Sequence, residues 1–193
     1  MLVVDVETTG TDPKKHSVVS IGAIDYETPL RQFYGECRIW TGAGVSLDAL
    51  SVNGFCISEI VNPKKKTLET IMKEFLTWAG DDIVGGGNPD FDVKFLKQSA
   101  EKYNIHWRPP LVTIDVRALC YAHQIQRKLP ADKIKKFGQK VDDTLQYVVL
   151  PREPKPHNAL TGAKMEAEAF SRLIHGKPLL QEFEQYSVPE YLH

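Results

Sequence analysis

Asp5 and Glu7 close a short apolar run, Leu2-Val3-Val4-Asp5-Val6-Glu7. In a strand, successive side chains alternate faces, so these two carboxylates share one face about 7 Å apart while Val6 points the other way. They converge on one spot. Thr8, Thr9 and Gly10 follow at once, which puts the pair at a strand end, where open α/β sheets bind their ligands. A polar strand end leading into a turn would use the same residues, so the pair gains chemical meaning only from its company elsewhere.

That company is acidic and imidazole. Asp92 lies in Asn88-Pro89-Asp90-Phe91-Asp92-Val93-Lys94-Phe95-Leu96, within the first turn and a half of an expected helix. The helix dipole favours negative charge there, which gives Asp92 and Asp90 a structural reading as well. A helix starting just after a strand at Asp82 to Val84 begins at the same sheet edge as Asp5 and Glu7, so a third carboxylate can join them. His157 opens the last expected helix, in His157-Asn158-Ala159-Leu160. Alone, it would read as an ordinary surface or capping residue.

The elements that must position these residues follow from periodicity. Leu2 to Val6 reads as a buried strand, Val18 to Asp25 as a second, and Gln32 to Trp40 as a third, joined by short connections into an antiparallel meander. Leu68, Ile71, Met72, Phe75, Leu76 and Ala79 then trace the stripe of an amphipathic helix. A short strand at Asp82 to Val84 precedes Gly85-Gly86-Gly87, and Asn88 can cap a helix with Pro89 at its first position. Another strand is expected near Leu111 to Ile114, with a helix from Asp115 to about His123. Leu160, Ala163, Ala167, Phe170 and Ile174 mark a final helix that Gly176 and Pro178 end. Strands first, then alternating strands and helices, imply an α/β fold with a mixed sheet flanked by helices.

At 193 residues the chain is about one domain, and such a chain buries roughly 70% of its unfolded surface. We expect a domain over 1–178 and a tail over 179–193 without strong periodicity. The net charge of −1 neither favours nor excludes nucleic acid, because binding follows local basic patches. No stretch approaches the length of apolar residues that crosses a membrane, and the amino end lacks a signal-peptide layout. The expectation is a soluble, cytoplasmic protein with no membrane partner. Cys37, Cys56 and Cys120 show no C-x-x-C spacing and fit reduced core thiols.

Taken together, Asp5-Val6-Glu7-Thr8-Thr9-Gly10, the segment Asn88 to Leu96, and His157-Asn158-Ala159-Leu160-Thr161-Gly162-Ala163 resemble the three motifs of the DEDDh 3′ to 5′ exonucleases. That family includes bacterial polymerase proofreading subunits, ribonuclease T and oligoribonuclease. The resemblance runs in order from residue 1 to about residue 175 and extends to Val18-Val19-Ser20-Ile21-Gly22-Ala23 and Asp115-Val116-Arg117-Ala118-Leu119. It implies a ribonuclease H-like fold with a five-stranded sheet and hydrolysis of the phosphodiester at a DNA or RNA 3′ end with two metal ions. Crowded carboxylates raise one another's proton affinity unless a cation sits among them, and hard oxygen ligands suit Mg²⁺ or Mn²⁺. By the same analogy Asp5 bridges both ions, Glu7 binds one and holds substrate, and Asp92 contributes through the coordination shell. His157 acts as general base. The turn at Thr8 and Thr9 receives the terminal nucleotide, with Asn88 beside it.

The chain departs from the family pattern at Gly162, where relatives carry the fourth acid. Gly in a helix costs roughly 1 kcal/mol relative to Ala, so helix preference does not explain it. Glu166 lies one turn further on the same face, about 6 Å along the axis, and is not expected to replace the missing ligand, although its longer side chain could partly reach back. Three readings follow: a weak nuclease with fewer acidic ligands, an altered and inactivated version of an active enzyme, or a binding or scaffold protein on the exonuclease fold. Gly162→Asp with a nuclease assay separates activity from its loss.

Arg127, Lys128, Lys133, Lys135, Lys136 and Lys140 place six basic residues in fourteen. They read as a solvated helix face or as a track for a phosphate backbone. Gly85-Gly86-Gly87 lacks the G-K-[ST] of a P-loop and is expected to allow close backbone approach beside the cleft. Trp40, Trp78 and Trp107 are expected in the core. DNA and RNA are not distinguished, and the oligomeric state stays open.

Overall fold

The structure, a computed structural model, describes residues 1–130, 134 and 140–193. A five-stranded sheet has the order β3-β2-β1-β4-β5, with β1 Leu2–Thr8, β2 Val18–Asp25, β3 Gln32–Glu36, β4 Val84–Gly86 and β5 Thr113–Asp115. β1 pairs antiparallel with β2, and β2 with β3; β1–β4 and β4–β5 are parallel. The expected mixed sheet is therefore present. Its central strand is buried on both faces, which is why its sequence is a nearly continuous apolar run.

Among the described residues the helices are α1 Leu47–Asn53, α2 Ile57–Ile60, α3 Leu68–Ala79, α4 Pro89–Lys102, α5 Val116–Gln126, α6 Val141–Tyr147 and α7 Ala159–His175. Leu2, Val4 and Val6 join Phe75, Phe95 and Leu96 in the core beneath α3 and α4. Val3 joins Val116, Leu145 and Phe170 in a second core beneath α5, α6 and α7. The sheet is thus sandwiched between two helical layers. None of these helices is long and apolar enough to cross a membrane.

Three strand expectations shift. β3 stops at Glu36, not Trp40, because Glu36 already pairs with Ser20 and β2 runs out two residues later at Val18. Arg38 turns instead to Lys66, whose carbonyl accepts its N–H at 2.9 Å. The fourth strand lies at Val84–Gly86, not Asp82 to Val84, since Leu2 and Val3 pair with Val84 and Gly85; a parallel ladder needs backbone, and the Phe170 ring packs against Gly85. β5 begins at Thr113 because Leu111 and Val112 are exposed, so their apolar character misleads. The short helices α1, α2 and α6 have too few turns to show a period. Trp40, Trp78 and Trp107 are only partly buried around the α3 and α4 core. Cys37 and Cys120 are buried free thiols, whereas Cys56 is exposed.

α7 ends at Gly176, which takes the left-handed conformation at φ 63°. Beyond Pro178, Leu180, Phe183 and Leu192 are buried in the second core. Arg172, fully buried, pairs with Glu168 at 2.8 Å and donates to the carbonyls of Val148, Phe183 and Tyr186. The other Glu168 oxygen accepts from the Leu179 and Leu180 N–H groups. Every arm of this pair is satisfied. Removing one partner of a buried ion pair costs about 3–5 kcal/mol, so Arg172→Leu is expected to lower the urea midpoint by that amount of stability; a change below about 1 kcal/mol would contradict this account.

Candidate active site

Alternation along β1 decides which layer the acids meet. Asp5 and Glu7 share the face of Val3, so they turn toward α7. α7 can lie directly on the sheet because Gly22, the partner of Asp5 on β2, has no side chain; a Cβ there would collide with the Ala159 and Leu160 backbone. The start of α7 is therefore pressed against the end of β1.

These elements enclose an open cleft of about 400 Å³. Asp5, Glu7, Glu153, His157 and Glu166 line it, with Thr8, Asn53 and Lys140 among the polar walls. α1 forms one side through Ala49 and Val52. Asn53 ties that side to β1 by donating to the Thr8 carbonyl at 3.0 Å. The His157 N–H donates to the Val52 carbonyl at 2.9 Å, which fixes the proline-rich loop ahead of α7. Asn158 caps α7, its Oδ1 accepting from the Leu160 and Thr161 N–H groups.

Glu153 comes from within that loop, between Pro151 and Pro154. Its Oε2 lies 3.2 Å from His157 Nδ1, and its Oε1 accepts from the Asn158 N–H at 3.4 Å. Glu7, Glu153 and His157 each offer a ligand atom within 4.8 Å of the others. Asp92 is buried behind the cleft, where its Oδ1 accepts the Val6 N–H at 3.0 Å.

Gly162 faces this group from α7. A Cβ at that position would collide with Asp5 Oδ2 and stand 3.4 Å from Glu153 Oε1. The Asp5 carboxylate thus occupies space that an aspartate at 162 would need, and Gly162→Asp requires Asp5 to move first. Glu166 does reach the cleft, the reach back that its longer side chain allowed. Gly87 makes this possible, since a Cβ there would collide with Glu166 Oε1. This is the close approach anticipated for the glycine run.

Crowding sets the electrostatics. Burial, then Glu166, Glu7 and Glu153, push the Asp5 carboxyl well above the usual carboxylate range. Burial and Asp5 do the same to Asp92, and burial and Asp92 to Glu166. Burial lifts Glu7 to about 7, and burial with Glu7 lifts Glu153 to about 7. His157 moves down, through burial and the neighbouring Lys155 charge.

Besides Asp92, two expected site residues stand apart from the cleft. Thr9 is fully buried; its N–H donates to the Ser17 carbonyl at 2.8 Å and its hydroxyl to the Gly44 carbonyl at 2.7 Å. Asn88 stands at the α4 cap, but in the left-handed conformation at φ 70° and with no capping bond from its side chain; a capping side chain uses extended backbone. It borders a separate pocket with Thr11 and Lys94. Thr8 does line the cleft, its hydroxyl donating to the Gly10 carbonyl at 2.7 Å. Of the basic stretch, Lys133, Lys135 and Lys136 lie outside the described residues. Arg127 packs over the Tyr191 ring and donates to the Tyr147 hydroxyl, while Lys140 faces the cleft. Sequence reasoning missed Glu153 altogether. Glu166 is singled out in the sequence by its place one turn beyond Gly162 on the same helix face.

The RNase_T exonuclease family model matches residues 2–170. The PolC-type DNA polymerase III of Thermotoga maritima is 25% identical over 174 residues, a match spanning 90% of this chain and 12% of that protein. The chain therefore corresponds to a small part of that relative. The DNA polymerase III epsilon subunit of Aquifex aeolicus is 24% identical over 175 residues, covering 90% of this chain and 79% of its own. Among solved structures, the nuclease domain of 3′hExo, a DEDDh family member bound to rAMP, superposes with a TM-score of 0.66 at 16% identity, covering 93% of this chain and 94% of that one. Exonuclease I of E. coli with a 5cy-dT13 oligonucleotide gives a TM-score of 0.68 at 13% identity, covering 91% and 41%. The fold is the ribonuclease H-like one of these exonucleases.

The raised carboxyls make a thermal prediction. An acid with a raised folded pKa holds its proton more tightly when native, so the native state loses stability as pH climbs from the ordinary value of 4.5 through the folded value of about 7. In chelator, the melting temperature is expected to fall between about pH 5 and pH 8, as followed by calorimetry. A flat or rising profile across that window would contradict the crowded-carboxylate account.

Proposed function

This chain belongs to the RNase_T exonuclease family, and from that premise we propose that it removes nucleotides from single-stranded DNA or RNA 3′ ends by divalent-metal-dependent hydrolysis. The observation that carries the reading is the convergence of Asp5, Glu7 and His157 on one open cleft. The donor set suits a hard divalent cation such as Mg²⁺ or Mn²⁺. Among the described residues Lys140 is the one lysine or arginine lining the cleft, and Glu166 Oε2 has no hydrogen-bond partner among them. Asp5, Glu7 and Asp92 are the residues that would hold the metal. When bound, the cations would supply Lewis-acid stabilisation of the attacking and leaving oxygens.

The rest of the chemistry belongs to the chain. With Nδ1 of His157 beside the Glu153 carboxylate at 3.2 Å, Nε2 is the nitrogen available to take the proton of the attacking water. Burial shifts the imidazole toward its neutral form, the one able to accept it. The water oxygen then bonds to phosphorus while the bond from phosphorus to the 3′ oxygen of the remaining strand breaks; that oxygen takes up a proton, and the terminal nucleotide leaves with its phosphate. Glu153 holds the ring in orientation and stabilises the imidazolium that forms. Thr8, Asn53 and Lys140 lie where the terminal nucleotide and its phosphate would enter. The nucleic acids in neighbouring structures, rAMP for 3′hExo and an oligonucleotide for exonuclease I, support a nucleic-acid end as the occupant.

Gly162 favours a second reading, a nucleic-acid-binding platform that does not cut. Single-stranded DNA, RNA and short oligonucleotides labelled at the 5′ end, incubated with Mg²⁺ or Mn²⁺, decide between them. A ladder shortening from the 3′ end is expected, lost in Asp5→Asn. His157→Ala is expected to slow it by about 10²–10⁴-fold, the usual scale for a general base. Binding of all three substrates with no shortening would overturn the enzyme reading and leave the platform.

A further inference from the structure

We propose that Glu166 is the acidic metal ligand of this chain, standing in for the one that the family pattern puts at position 162. The inference rests on the metal-dependent reading above and goes beyond it in naming a residue outside the family motif.

Glu166 lies one turn along α7 from Gly162, on the side that faces the cleft. The residue is only 6% exposed, yet its Oε2 has no hydrogen-bond partner among the described residues. Glu168, two positions on, shows how this fold satisfies a buried glutamate: one oxygen on Arg172 and the other on two backbone N–H groups. Glu166 has no such arrangement. The carboxyl meets the backbone N–H of Gly87, but a buried carboxylate with one oxygen left unpartnered is costly unless a cation completes it.

Two glycines adapt the cleft to this side chain. A Cβ at Gly87 would fill the space that the Glu166 carboxylate occupies, and one at Gly86 would lie 3.3 Å from its Oε2. At Gly162 the absent side chain leaves room into which the Asp5 carboxylate leans. The Asp5 carboxylate thereby stands against α7, the helix that carries Glu166. The space given up at 162 and the acid gained at 166 belong to one arrangement.

Glu153 is the rival, and its oxygens are already engaged. One is against His157 Nδ1 at 3.2 Å and the other accepts the Asn158 N–H at 3.4 Å. It serves as a positioning residue for the imidazole.

The test is Mn²⁺ uptake by the full chain, stripped with chelator and followed by calorimetry and by electron paramagnetic resonance. Glu166→Gln keeps the shape of the side chain and removes its charge. It is expected to weaken Mn²⁺ binding at least about tenfold and to reduce the rise in melting temperature that Mn²⁺ gives the wild type. Without metal, the same variant should melt above the wild type, which also shows that it folds. Glu153→Gln should retain Mn²⁺ binding within a few-fold. If wild type binds Mn²⁺ and Glu166→Gln binds it equally well, or if Glu153→Gln is the variant that loses it, the assignment of Glu166 is overturned while the metal site stands. No Mn²⁺ uptake by the wild type would overturn the metal site itself.

Discussion

Negative charge gathered in a partly closed cleft governs much of this molecule. Asp5, Glu7, Glu153 and Glu166 line one cavity with Asp92 directly behind, and Lys140 is the one lysine or arginine among its described lining residues. Desolvation acts in the same direction on all of them, and neighbouring carboxylates add to it at Asp5, Asp92, Glu153 and Glu166. A fold that evolved only for stability would replace such a group with apolar side chains, which pack without this penalty. The arrangement makes sense where an external positive charge completes it.

Holding the acids together requires backbone to approach backbone. β1 supplies Asp5 and Glu7 from the middle of the sheet, and Gly22 lets α7 settle against that strand. The contact brings His157, Gly162 and Glu166 to the same place from a second element. α4 adds Asp92 from the opposite layer, through a hydrogen bond to the β1 backbone rather than through the cleft. Both helical layers are thereby linked to the end of one strand, and apolar packing on either side of the sheet keeps that end in place.

The main elements were legible in the sequence because their signals are strong. β1 and β2 are long apolar runs, and α3, α4 and α7 carry clear stripes with glycine or proline at their ends. The alternation that puts Asp5 and Glu7 on one face was readable for the same reason. Other features were not, for reasons of locality. The shortness of β3 depends on where β2 begins, and the position of β4 depends on register with β1. Glu153 sits in a loop without period, and its direction is set by the Asn158 N–H and the His157 ring. The reach of Glu166 depends on an absent side chain at Gly87, far away in sequence.

One backbone hydrogen bond has a mechanical meaning. The His157 N–H is held by the Val52 carbonyl at the end of α1, and α1 is also the wall that limits the width of the cleft. Wall and imidazole therefore share a joint. Anything that pressed α1 outward would pull on the His157 backbone through this bond, whereas an occupant that leaves α1 in place leaves the ring where it is. The width of the cleft on that side and the position of the imidazole are thus tied together by one backbone hydrogen bond.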